Sequence, residues 1–139
     1  MKLKSVWIAA VMLGATTLPG AAQQFTTADE VRPILEATRA KWVTLRQFEG
    51  KDMLNFTQLV TWRCGLEAVY YSVNGGPEKQ LPVEPCYEDE AVPSAIKSTD
   101  ILPFVSLPAG TVQTVTVRLV YDDGGQSSAS FKRKDMLTS

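Results

Sequence analysis

"VQTVTVRLVYDDGGQSSASFKR", residues 112–133, decides how this chain is read. Val115, Val117, Leu119 and Tyr121 alternate with Thr114, Thr116 and Arg118. Successive side chains of a β-strand point to opposite faces, so this pattern describes a strand with one face in a core. Asp123-Gly124 follows as a turn, with Gly124 free to take a positive φ. Ala129 and Phe131 then continue the inward face on a second strand. The stretch predicts an antiparallel hairpin.

Working back along the chain, "LEAVYYSVNGG" (66–76) carries apolar residues on both faces. Leu66, Ala68 and Tyr70 share one, and Val69, Tyr71 and Val73 share the other, as expected of a central strand. Asn74-Gly75 is turn chemistry, and "EKQLPV" (78–83) returns alongside, with Pro82 marking it as an edge. "WVTLRQF" (42–48) and "MLNFTQLVTW" (53–62) flank Glu49-Gly50-Lys51-Asp52 and predict another hairpin. "EPCYEDEAVPSAIKSTDILP" (84–103) is polar and punctuated by proline, a long crossover loop before a short strand at "FVSLP" (104–108). Ahead of all this, "TADEVRPILEATRAKW" (27–42) predicts one helix. Thr27 and Glu30 fit a capping box, Val31, Ile34, Leu35 and Thr38 form an apolar stripe, and Pro33 calls for a kink or a later start. The helix is expected to lie on a sheet, the sharper alternative being a partner-binding helix. The sum is a mainly β, antiparallel β-sandwich of about seven strands with one N-terminal α-helix.

Parts of this pattern resemble a known family. "VYYSVNGG", the Pro-rich middle, "LPAGTVQTVTVRLVYDDGG" and the closing strand are similar to bacterial immunoglobulin-like modules. These often show a Tyr-Ser-x-Asn/Asp-Gly hairpin, a P-x-G loop and a Val/Thr strand ending in Asp-Gly. The resemblance covers residues 66–133, leaves out the helix and the first hairpin, and implies an immunoglobulin-like sandwich without implying any activity. The whole chain also resembles small uncharacterised exported bacterial proteins, which supply no function to carry over.

Residues 1–22 are expected to be a cleaved signal peptide. Lys2 and Lys4 precede an apolar run ending in Pro19-Gly20-Ala21-Ala22, the order of a secretory leader. The run is about 14 residues, against about 20 for a membrane-spanning helix. That places the remainder, 23–139, in the periplasm or outside the cell as a single domain, without membrane insertion after cleavage. Taking Lys2 and Lys4 from the 14 basic residues leaves 12 against 15 acidic, a net charge of −3. So mild a balance carries no basic patch for nucleic acid.

The chemistry is bounded by what the chain lacks. It has no histidine, which removes the commonest general base and the Ser-His and Cys-His nucleophile pairs. Two cysteines without histidine make no standard zinc site, and no phosphate-cradling loop occurs. Ser94-Ala95-Ile96-Lys97 matches S-x-x-K, but its S-D-N and K-T-G companions are missing. Glu84, Glu88, Asp89 and Glu90 lack the spacing of a calcium loop, Asp122-Asp123 reads as turn chemistry, and Asn55-Phe56-Thr57 is a glycosylation acceptor in form only. No catalytic, metal or cofactor residue is assigned, and the chain is read as no enzyme.

Cys64 and Cys86 are expected to form a disulfide. They make an even count in an exported chain, are not spaced as C-x-x-C, and lie at the two ends of the Asn74-Gly75 hairpin, which returns the chain to its starting point. Trp62, Tyr71 and Tyr87 are the candidate ligand or partner contacts. The expected role is a non-catalytic binding or accessory module engaging an envelope protein. The alternative is a carbohydrate-binding module that stacks a glycan on exposed aromatic rings.

Overall fold

The computed structural model describes residues 24–138, so the expectations about the leader lie outside the described residues. The elements run α1 (Ala28–Ala37), β1 (Thr44–Phe48), β2 (Lys51–Asn55), α2 (Thr57–Thr61), β3 (Leu66–Val73), β4 (Lys79–Gln80), β5 (Phe104–Pro108), β6 (Thr114–Tyr121), β7 (Gln126–Lys132) and α3 (Arg133–Met136). Short 3-10 turns cover Arg39–Lys41 and Arg63–Gly65. The strands form two antiparallel sheets, ordered β1-β2-β5 and β4-β3-β6-β7. One core serves both: Leu45 and Leu54 from the small sheet, and Val69, Tyr71, Val115, Val117, Leu119, Tyr121 and Phe131 from the large one. That is the arrangement of a β-sandwich.

The hairpin at 112–133 forms as its alternation demands. Val115 pairs with Phe131 and Val117 with Ala129, and Gly124 turns with φ +89°. β3 lies between β6 and β4, with the two-residue β4 at the sheet edge.

The first hairpin departs from expectation at both ends. Its turn is only Glu49-Gly50, both at positive φ (50° and 73°). Lys51 and Asp52 therefore belong to β2 rather than to a four-residue turn. β2 then ends at Asn55, whose side chain accepts from Thr57 N at 2.7 Å and so starts α2 instead of prolonging the strand. Phe56, Leu59 and Val60 are all buried, the i, i+3, i+4 spacing of a helix face. Three residues of 53–62 depart from strand alternation, Met53, Gln58 and Leu59, and the last two fall within this helix. α2 and α3 add two short helices to the one expected.

α1 is capped by Thr27, whose Oγ1 accepts from Glu30 N. Pro33 sits within it on the exposed side, and Val31 and Leu35 are fully buried. The helix is fastened to the β6–β7 hairpin. Arg32 donates twice to the Asp123 carboxylate (2.7 and 2.8 Å), Asp122 Oδ1 accepts from Ala28 N at 3.0 Å, and Ser127 Oγ donates to Glu36 at 2.5 Å.

Gly65 sits where α1 crosses the Arg63–Gly65 turn. A Cβ there would stand 2.3 Å from Val31 Cγ2 and 2.6 Å from Thr27 O. One neighbour is main chain, so relief requires the start of α1 to move. Gly65→Ala is expected to destabilise by about 2 kcal/mol, within the range for overpacking; urea unfolding of the oxidised protein measures it, and an unchanged midpoint would disprove the close approach.

Candidate functional site

The stretch "TWRCG" (61–65) ties down the crossover loop. Cys64 is bonded to Cys86 (S–S 2.16 Å, Cα–Cα 5.0 Å). Beside it Arg63, 3 % exposed, uses its whole guanidinium on main-chain carbonyls. Nε donates to Pro85 O (3.1 Å), Nη1 to Val60 O (3.0 Å) and Ser94 O (3.1 Å), and Nη2 to Pro85 O (2.9 Å) and Ala95 O (2.8 Å). An arginine has five N–H groups, and all five are engaged. A buried cation is tolerated only when its hydrogen bonds are met, and here the loop backbone meets them. Burial pulls Arg63 down from the ordinary guanidinium range, while the charge of Glu84 opposes that shift.

Glu84 is the second buried ion of the loop, 2 % exposed. Its Oε2 accepts from the Tyr87 hydroxyl (2.5 Å) and from Lys97 N (2.7 Å). The Tyr87 bond above all, with the Lys97 N–H after it, holds the carboxyl below its usual range, and the same contact pushes the Tyr87 phenol up. Oε1 of Glu84 is buried and has no partner. Lys97 Nζ sits 4.4 Å from the centroid of the Tyr87 ring and pairs with Glu90. Within the S-x-x-K stretch, then, Lys97 is committed to Glu90 and Tyr87, while Ser94 supplies a carbonyl to Arg63.

Of these residues Arg63, Glu84, Pro85 and the two cysteines border a surface cleft of about 630 Å³. Leu66, Leu81 and Val83 give it apolar walls, the disulfide one side, and Glu67, Glu84, Glu88 and Asp122 its charge. The register of β3 against β6 shifts between Leu66 and Ala68, and such a bulge re-aims the residue it carries. That residue is Glu67.

The three aromatic candidates do not converge. Trp62 is half-buried, packed edge-on against Phe25 at 5.3 Å. Tyr71 is buried, only 8 % exposed, and lies 5.4 Å from the Phe56 ring. Of the adjacent tyrosines it is the one turned into the core, because Val69, Tyr71 and Val73 form the inner face of β3. Tyr70 points outward, its ring under the Arg118 guanidinium at 4.3 Å. Tyr87 belongs to the loop cluster above.

Sequence reasoning missed two features. The first is the Arg63 network. Its signal was a lone charge inside the apolar run from Leu59 to Leu66, which the cysteine beside it overshadowed. The second is the outer face of the small sheet, where Phe48 and Phe104 are 47 % and 43 % exposed around a second cleft of about 470 Å³ with Arg46, Met53 and Asn55. Among the described residues no helix is long and apolar enough to cross a membrane. Compared with family models, curated proteins and solved structures, the chain matches none of them.

Proposed function

We propose that this chain is an exported binding module, non-catalytic, that engages a protein of the cell envelope through the cleft beside the Cys64–Cys86 bond. The observation that carries this reading is how the crossover loop is held. A segment without regular structure from Leu81 to Pro103 is pinned by a disulfide and by a five-donor arginine. Loops positioned by a rigid scaffold are where β-sandwiches carry recognition. A surface fixed before binding loses little ordering entropy when it is occupied.

The immunoglobulin-like reading is supported by strand order. Lettered in chain order with β4 as C′ and no D strand, the sheets read A-B-E and C′-C-F-G, close to the Greek-key plan of such sandwiches. The disulfide joins the start of C to the loop after C′, unlike the bridge between sheets found in antibody domains. The sugar-stacking alternative has less behind it. Trp62, Tyr70 and Tyr87 already hold Phe25, Arg118 and Lys97 against their rings.

The test is capture from an envelope extract by the immobilised, oxidised protein. One stoichiometric protein is expected, retained before reduction and released after it. Retention of soluble glycans that is lost in Tyr87→Ala or Trp62→Ala would replace this reading with the carbohydrate one. Hydrolysis of an ester or amide abolished by Ser94→Ala would replace it with an enzyme.

A further inference from the structure

We infer that the cleft beside the disulfide receives a basic side chain, lysine or arginine, from the protein that this module binds. The inference rests on the binding-module reading and specifies what the partner must present.

Charge is the first observation. Four carboxylates, Glu67, Glu84, Glu88 and Asp122, line the cleft, against one cation, Arg63. Arg63 has no N–H left to offer a ligand, since all five point at carbonyls. The cleft therefore carries a net negative charge whose only positive member is turned away into the loop backbone.

The second observation is independent of charge counting. Glu84 is only 2 % exposed, yet its Oε1 has no hydrogen-bond partner. Its other oxygen is already fixed by Tyr87 and Lys97 N, so the free oxygen is held in one orientation, shielded from solvent, on a residue that lines the cleft, and a ligand donor reaches it as that wall gives. An unpaired buried acceptor is costly, and a donor brought by a ligand removes that cost. The donor must be cationic to gain from the ionised carboxylate.

The third observation selects the kind of cation. Among the described residues no three acidic, cysteine or histidine side chains converge as ligands for one metal ion. Acceptors that are spread out suit a head with several N–H groups instead. Leu66, Leu81 and Val83 supply an apolar track beside them. An aliphatic stem ending in an ammonium or guanidinium group matches both parts, because such side chains bury the stem and direct the head to polar groups. The bulge at Glu67 brings a second carboxylate to the same cleft.

The experiment uses the oxidised protein and amide NMR. The probes are Ac-Gly-Arg-Gly-NH2, Ac-Gly-Lys-Gly-NH2, the same tripeptide with norleucine, spermidine, and calcium chloride. The two basic peptides are expected to shift amides of residues 63–67, 80–88 and 122 saturably, with norleucine inert. Glu84→Gln keeps acceptors for Tyr87 and Lys97 N and is expected to weaken binding at least tenfold. The double variant Glu67→Gln/Glu88→Gln changes exposed residues only and is expected to weaken it several-fold with the fold unaltered. The inference is overturned if norleucine shifts the same amides equally, if neither basic peptide binds, if spermidine binds without either peptide, or if calcium alone reproduces the shifts. Should the envelope protein be captured equally by wild type and Glu84→Gln, the binding-module reading stands and this inference falls.

Discussion

Asp52→Ala is expected to cost about 3–5 kcal/mol, the usual penalty for removing one partner of a buried ion pair. Asp52 is fully buried. Its carboxylate accepts from Arg133 twice (2.8 and 3.2 Å) and from the backbone N–H groups of Gly110 and Val112 (both 3.0 Å). One side chain therefore joins β2 to the β5–β6 turn and to the start of α3. Without it, the Gly110 and Val112 N–H groups lose their acceptor, and the partly buried Arg133 guanidinium keeps only Val112 O. Chemical denaturation with a fluorescence readout measures the loss, and a cost under about 1 kcal/mol would show that the cluster contributes little. The same group sets a pH dependence. The Arg133 bonds, with the two N–H groups, hold Asp52 far below its ordinary value. A carboxyl depressed by folding contributes stability that is complete above its unfolded pKa, about 4, and is lost progressively as the pH falls below that. Wild type should thus lose stability between about pH 4 and pH 2 more steeply than Asp52→Asn; parallel profiles would contradict the assignment.

Removing the Cys64–Cys86 bond is expected to cost about 3 kcal/mol. The bond closes 22 residues of sequence, and the entropy recovered by the unfolded chain on opening a loop of that size is of this order. The double variant Cys64→Ala/Cys86→Ala isolates the effect from thiol chemistry. A fall in melting temperature of roughly 10 °C or more corresponds to that loss in a domain of this size. Wild type treated with a reductant should follow the variant. Amide exchange adds a spatial readout: protection should fall first between residues 84 and 97, because of the two ties from Arg63-Cys64 to that loop only the Arg63 bonds then remain. A variant as stable as wild type would show that the arginine suffices.

How much of this was legible in the sequence depends on the range of the interaction. β3, β6 and β7 could be read because strand alternation is a local property, and Gly124 and Asn74-Gly75 because turns are too. The end of β2 was misread because Leu54, Phe56, Val60 and Trp62 fall on even positions whether the chain stays extended or coils after Asn55. Asp52 was assigned to a turn because Glu-Gly-Lys-Asp is a plausible turn tetrad, and its true partners lie 58 to 81 residues further on. What Arg63 binds was invisible for a stronger reason. Its partners are carbonyl oxygens, which every residue has, so no residue type advertises them. Tyr71 and Tyr70 illustrate a finer limit. Periodicity says that adjacent residues face opposite ways, but it leaves open which of the two faces in.

The Arg63 network has a consequence for how this protein can change over time. Its five bonds read main-chain atoms of Val60, Pro85, Ser94 and Ala95, and none of them depends on what side chain those positions carry. Most of the crossover loop can therefore be rewritten while its path is kept, provided that Arg63, the disulfide and the Glu84 contacts survive. A wall whose shape is held from behind by its backbone, and whose outward face is free to vary, separates the evolution of specificity from the evolution of stability. Replacing Glu88–Val92 with unrelated residues should accordingly yield folded molecules with new surfaces, making the loop a site for grafting recognition sequences.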